Sequence, residues 1–179
     1  GDPERDRDLS SDALWEVERI VADRGLPLTL LRPGFFMENL VQFALRRSGS
    51  RSLLLRTPLD PSTRLQWIAV DDVGALAVTA IADPGLFGGG PVGLAGCELT
   101  VAESMDAVTR VLDLDVEYAR ISFEEVTKQG EHAYGMYRWC ESHPHYTADI
   151  ARLRALHPPL MTLADWLAAG HLRLSDLAA

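Results

Sequence analysis

Lysine is all but missing from this 179-residue sequence: of 17 basic residues sixteen are arginine, and the exception is Lys128. Chemistry that needs an amine side chain therefore has a single place to come from. Positive charge as a whole is short, with 26 acidic residues against those 17 and a net charge of −9. Such a chain repels a polyanion and lacks the basic footprint of a nucleic-acid binder. Cysteine is limited to Cys97 and Cys140, too isolated for a disulfide framework, so both are expected to be reduced. No run approaches the roughly 20 consecutive apolar residues of a membrane span, and Gly1 to Asp8 is rich in Asp and Arg, unlike a signal peptide. These absences lead to the expectation of a cytoplasmic protein with neither membrane nor nucleic acid as partner. A Gly-x-Ser-x-Gly nucleophile elbow is also lacking, and neither cysteine has a recognisable histidine partner in sequence.

What is present has the composition of an ordinary globular chain, 47% apolar and 24% charged, long enough for one compact domain. Ser10 or Ser11 can cap a helix whose apolar positions Leu14, Val17, Ile20 and Val21 follow helical spacing, with Gly25 as its stop. Pro27 begins a strand that runs to Arg32 and ends at Pro33-Gly34, after which Phe36, Leu40, Phe43 and Ala44 trace a helical face closed by the polar run Arg46 to Ser50. Leu53 to Leu55, Leu65 to Val70, Val92 to Ala95 and Val116 to Ile121 read as strands. Asp71 or Asp72 sits at a helix N-cap position ahead of Val73, Leu76, Ala77, Ala80 and Ile81. Thr100 and Glu103 have capping-box spacing at the head of a helix to Leu112. Ser122 caps a helical stretch from Phe123 to Cys140 that Gly130 and Gly135 interrupt, and helices at Thr147 to Leu156 and Leu163 to Leu172 flank Pro158-Pro159. The pattern predicts an α/β fold: residues 1–90 the end of a parallel sheet layer, and 91–179 a small mixed α+β subdomain, the two forming one compact and potentially interleaved unit.

The most informative stretch is Leu28 to Asn39, a buried strand meeting a Pro-Gly turn followed by two aromatic rings, a Met and an amide. In open α/β proteins ligands sit outside the carboxyl ends of strands, where this turn would lie. Arg32 beside Pro33 has the charge to hold a phosphate or carboxylate and is left without a role. Asp71 and Asp72 could be paired carboxylates for acid–base work, but their place ahead of a helix makes capping the better explanation. Cys140, His143 and His145 are close in sequence, yet a structural zinc site needs a fourth ligand that is not evident, and no metal is expected. His132, Tyr134, Tyr137 and Trp139, with Met136, either shape a cap over a substrate or pack into the adjoining core.

Trp15-Glu16-Val17-Glu18, Leu31-Arg32-Pro33-Gly34-Phe35-Phe36-Met37-Glu38-Asn39, Trp67-Ile68-Ala69-Val70-Asp71-Asp72-Val73-Gly74, Leu94-Ala95-Gly96 with Leu99-Thr100, and the region His157-Pro158 to Trp166-Leu167 occur in an order and spacing that resemble the carboxyl-terminal part of the NmrA-like family, atypical short-chain dehydrogenase/reductases. The resemblance implies the carboxyl-terminal part of a Rossmann-like parallel sheet plus a substrate-side cap. It implies that Pro33, Phe35, Phe36 and Asn39 line the nicotinamide region, with Met37, His132, Tyr134, Tyr137 and Trp139 toward the substrate. The bare residues also allow Phe35 and Phe36 as core and Asn39 as a turn or cap residue. Short-chain dehydrogenases commonly use a Tyr-x-x-x-Lys pair, but Lys128 lies four residues after Glu124, and the family's polar positions before the Trp-Glu-Val-Glu segment hold Ser10 and Leu14. The catalytic residue therefore stays unassigned.

A dinucleotide site needs a strand, a tight Gly turn and a helix N-terminus for the pyrophosphate. Gly88-Gly89-Gly90, between a helix and a strand, is a connector instead. NAD(P) is expected only with an amino-terminal half supplied by another chain or a longer gene product, and not for this chain alone. Leu28 to Leu31 and Leu65 to Val70 are expected to pair with another polypeptide or a symmetry-related copy, giving an oligomer. The implied function is the substrate-side portion of an NAD(P)-binding oxidoreductase acting on a small aromatic or quinone-like molecule. The alternative is a redox-inactive sensor or interaction domain.

Overall fold

The turn at Pro33-Gly34 ends one strand, as expected, and at once begins another with a different neighbour. In the computed structural model, which describes residues 12–25, 28–41, 45–88, 90–128, 130–142 and 148–177 (backbone alone at 12–15, 132 and 142), Leu31–Pro33 forms β1 and Phe35–Phe36 forms β2. β1 pairs in parallel with β6 (Val92–Leu94), Leu31 opposite Val92 and Pro33 opposite Leu94, while β2 pairs in parallel with β5 (Arg64–Ile68), Phe35 opposite Trp67. Between them the Gly34 N–H donates to the Leu94 carbonyl at 2.9 Å. A Cβ added to Gly34 would drive into the Gln66 carbonyl oxygen, so only glycine lets the backbone pass this closely.

β5 is flanked on its other side by β7 (Cys97–Thr100), antiparallel. The Leu65–Val70 segment thus has neighbours within its own chain on both sides, which corrects the expectation that a second polypeptide pairs with it. The reason is Ala95-Gly96, which turns the chain after β6 so that β7 runs back along β5, the Gly96 N–H donating to the Trp67 carbonyl at 2.7 Å. Among the described residues β1 has β6 on one side and no strand on the other. A second sheet consists of β3 (Leu45–Arg47), β4 (Ser52–Thr57) and β8 (Asp115–Arg120), with β4 antiparallel to β3 and parallel to β8. The polar run after Ala44 is therefore partly strand, its burial falling from the fully buried Leu45 to the exposed Arg47. Residues 42–44 lie outside the described residues.

The helices are α1 (Asp12–Asp23), α2 (Val70–Ala82), α3 (Val101–Leu112), α4 (Phe123–Thr127), α5 (Glu131–Ser142), α6 (Ile150–Leu156) and α7 (Leu163–Ala168). The Thr100–Glu103 capping box is formed, and Thr162 makes another with Asp165 at α7. The long stretch from Phe123 splits at Gly130, whose φ of 115° no other residue adopts readily, whereas Gly135 stays inside α5.

Alternation along β2 and β5 assigns successive residues to two cores. Phe35 and Trp67 point into the larger one, with Leu45, Leu55, Val108 and Trp166; Phe36 and Ile68 point into a second with Leu76, Phe87, Leu94 and Leu153, between α2 and α6. The carboxyl-terminal segment is bound across these strands. The Gln66 amide both donates to and accepts from the Ala148 backbone (3.3 and 3.1 Å), and Arg154 donates to the carbonyls of Gly96 and Leu160. Strands and side chains from 91–179 are thus interleaved with those from 1–90.

Candidate functional site

The Pro33–Asn39 loop is pinned at alternate residues, and the pinning decides what it offers to a ligand. Phe35 packs edge-on to Trp67, centroids 5.0 Å apart at 73°. Met37 is fully buried, its N–H donating to the Ile68 carbonyl at 3.0 Å. Glu38 accepts from the Val70 N–H (3.1 Å) and from the Trp166 indole N–H (3.2 Å) through Oε1, while its Oε2 is buried without a partner. Between these anchors Pro33 is exposed, and Phe36 and Asn39 are half-buried. The loop residues left at least partly accessible at the carboxyl ends of β1 and β2 are Pro33, Phe36, whose ring also packs against the second core, and Asn39.

Arg32 forms a two-pronged ion pair with Glu18 of α1, 3.2 Å from Nε and 2.6 Å from Nη2. The pair fastens α1, through the second acid of the Trp-Glu-Val-Glu motif, to the strand that carries the loop. The Ser10 position, the Leu14 side chain and the His132 side chain lie outside the described residues, as do His143 and His145.

Asp72 corrects the capping expectation. α2 starts at Val70 with Ala69 as its N-cap and no side-chain cap bond from within its own segment; the cap comes from Glu38. Asp72, 2% exposed, instead accepts from the Met161 N–H (3.0 Å) and faces His157 Nε2 (3.1 Å). One turn into the helix, its side chain points at the carboxyl-terminal loop, not back along the helix, and it holds that loop against α2. No sequence signal separates it from Asp71, which is exposed.

Tyr137 is buried, lines the same small cavity as Phe35 and Trp67, and its phenol is pushed up by loss of solvent and by neighbouring Cys140. Tyr134 packs edge-on to Phe123 (5.8 Å, 78°), and Trp139 is half-buried against the larger core. Tyr137 is thus brought together with Phe35, whereas Tyr134 and Trp139 belong to the packing around α4 and α5. Burial raises the Cys97 thiol, which accepts from the Leu163 N–H at 3.3 Å, and removes any nucleophilic bias. Among the described residues no group of three His, Cys, Asp or Glu is placed to hold a metal. Lys128 closes α4 at an exposed position.

A pyrophosphate would need an uncommitted helix N-terminus after a strand. Each such junction described carries acid in its first turn: Asp71 and Asp72 in α2, which Glu38 also caps, Glu103 in α3, and Glu124 and Glu125 in α4. Gly88, at φ 73°, ends the 3-10 turn Pro84–Phe87 ahead of β6. These helix starts do not fit the phosphates of a dinucleotide.

Trp67 and Glu38 were quoted in sequence only as signature residues. Their buried, unpartnered atoms could not be read from residue type.

A model of the NmrA-like family matches residues 12–167. The NAD(P)H azoreductase of Xenophilus azovorans is 32% identical over 154 residues, covering 82% of this chain and 48% of that protein. The chain thus spans about half the length of this curated relative. Among solved structures, NmrA, a negative transcriptional regulator, in complex with NAD superposes with a TM-score of 0.71 at 18% identity, covering 90% of this chain and 60% of that one. The NADPH-dependent quinone oxidoreductase QOR2 of Escherichia coli gives 0.70 at 20% identity over 90% of this chain and 62% of that one. At these identities the structures establish a shared Rossmann-like α/β fold, and the match over most of the sequence establishes that the chain belongs to the NmrA-like family.

Proposed function

We propose that this chain is the substrate-side wall of an NAD(P)H-dependent oxidoreductase that reduces a small aromatic or quinone-like molecule. The observation that carries this reading is the pinned loop: Phe35, Met37 and Glu38 are held, so Pro33, Phe36 and Asn39 present a rigid apolar slot with one amide at the carboxyl ends of parallel strands. The relative named as an NAD(P)H azoreductase supports it. A bound nicotinamide would supply the hydride; this chain would orient its ring, exclude water and seat the acceptor. The phosphates would be held by a dinucleotide-binding half in another polypeptide or in a longer form of this one. The open side of β1 and the outward residues of α1, Val17 and Ile20, 58% and 45% exposed, are where such a half would join.

The test mixes the chain with the dinucleotide-binding half of its azoreductase relative and follows NADPH oxidation with 9,10-phenanthrenequinone. One NADPH and one proton are consumed per hydroquinone. Phe36→Ala and Asn39→Ala are expected to raise KM for NADPH or the quinone about tenfold. Activity unchanged in both variants sinks the proposal.

One observation favours a second reading, a redox-inactive dinucleotide sensor: the sole lysine is exposed at the end of α4, and the family's polar positions hold Ser10 and Leu14. Under that reading calorimetry on the mixture reports NADPH binding while no quinone supports its oxidation.

A further inference from the structure

Trp67 is 2% exposed, yet its indole N–H has no acceptor. A buried donor left open costs about 1–3 kcal/mol, and native proteins leave few of them. The ring lines a half-open cavity of about 20 Å³ together with Phe35, Thr57, Ser104 and Tyr137. That volume exceeds the roughly 10–15 Å³ one oxygen-sized guest requires.

The polar groups around this cavity define the guest. An indole N–H can only donate. The Ser104 hydroxyl already donates to the Val101 carbonyl at 2.7 Å, and Thr57 Oγ1 already accepts from the Leu59 N–H at 3.3 Å, which leaves its own hydroxyl proton to give. Desolvation keeps the Tyr137 phenol protonated. Trp67, Thr57 and Tyr137 offer donors to the cavity while Ser104 Oγ, its proton already given to Val101, can only accept; the rest of the described lining is Leu, Val and aromatic carbon, and no charged side chain is among the described lining residues. A cation would find no counter-charge there, and a carboxylate would exchange full hydration for a few neutral donors. A neutral acceptor oxygen meets both conditions.

We propose that Trp67 is a ligand-anchoring residue whose indole N–H donates to the carbonyl-type oxygen of a neutral aromatic molecule, the oxygen entering the cavity between Phe35 and Tyr137. Phe35 belongs to the Pro33–Asn39 loop but faces the opposite side of the sheet from Phe36, so the anchor's occupant is seated on the Trp67 side, apart from the slot described above. The proposal rests on the oxidoreductase reading only for the identity of that occupant. Its test involves no nicotinamide, so either can fail alone.

In the ¹⁵N-labelled chain the four tryptophans give four indole N–H resonances, and Trp67→Phe identifies one by its loss. Acetophenone is the probe, and ethylbenzene, of similar shape without the oxygen, is the control. Acetophenone is expected to move the Trp67 indole resonance downfield in a saturable way, ethylbenzene is not, and Trp67→Phe is expected to weaken acetophenone binding about fivefold to tenfold. Should Trp67→Phe not fold, Trp15→Phe, Trp139→Phe and Trp166→Phe identify the resonance by elimination and the wild-type titration decides. A Trp67 resonance unmoved by acetophenone but cross-relaxing with a long-lived water assigns the oxygen to a resident water and overturns the proposal. An unmoved resonance without such a water overturns it equally.

Discussion

At the scale of single residues, two glycines that look alike in sequence are opposites in the fold. Gly34 lies where a Cβ would strike the Gln66 carbonyl oxygen, between two strands that cannot part without losing their ladders, whereas Gly74 sits exposed on α2 with nothing within reach of an added Cβ. Gly34→Ala is expected to destabilise by about 1–3 kcal/mol, the range for overpacking. Gly74→Ala is expected to stabilise by about 0.5–1 kcal/mol, since it removes backbone freedom from the unfolded chain without strain. Urea denaturation midpoints of the two variants, at unchanged slope, check both signs. The loop's motif was legible in sequence because Pro, Gly and paired aromatics punctuate a chain strongly. Which core each of its rings enters was not, because adjacent rings at Phe35 and Phe36 differ only in the side of the sheet to which the strand sends them.

At the scale of elements, the ends of the helices carry the electrostatics. The Glu103 carboxyl is held below its ordinary value, first by the Thr100 backbone N–H it accepts, against a small opposing desolvation and with help from the Thr100 hydroxyl. A carboxyl lowered on folding adds stability that is complete above its unfolded value and disappears as pH falls through the folded one. Glu103→Gln is therefore expected to lower the melting midpoint at neutral pH and to match the wild type in strong acid, as thermal melts across the pH range would show. Asp72 acts between elements. Asp72→Ala strips an acceptor from the part-buried Met161 N–H and from His157, for an expected cost of about 1–3 kcal/mol, while Asp71→Ala, at the exposed neighbour, costs less than about 1 kcal/mol. Chemical denaturation of the pair separates latch from surface. Elements whose signals are local were readable from sequence: the capping box at Thr100, the alternation of β8, the Ser122 cap. β2 and β7 were not read as strands, since each is short and exists by virtue of its partner β5, a relation that no window of sequence contains.

At the scale of the whole molecule, the parallel sheet pattern was visible as strands alternating with helices, but the interleaving of the two portions was set by long-range pairing such as β1 with β6 and Gln66 with Ala148. The exposed apolar side of α1 belongs to this scale as well. Ile20→Glu is expected to leave the fold of the chain intact, because the residue is 45% exposed, and to abolish its association with a dinucleotide-binding half. Light scattering of the mixture after size exclusion measures that outcome. The acidic first turns of α2, α3 and α4 have a reach beyond the helices they begin. Together with a net charge of −9 they contribute to a negative potential around the chain that falls off over about 8 Å at physiological salt. Under the proposed function such a field sorts substrates by charge before any contact is made. A neutral 1,4-naphthoquinone is expected to outpace its sulfonated counterpart at low ionic strength, with the gap narrowing as salt is added.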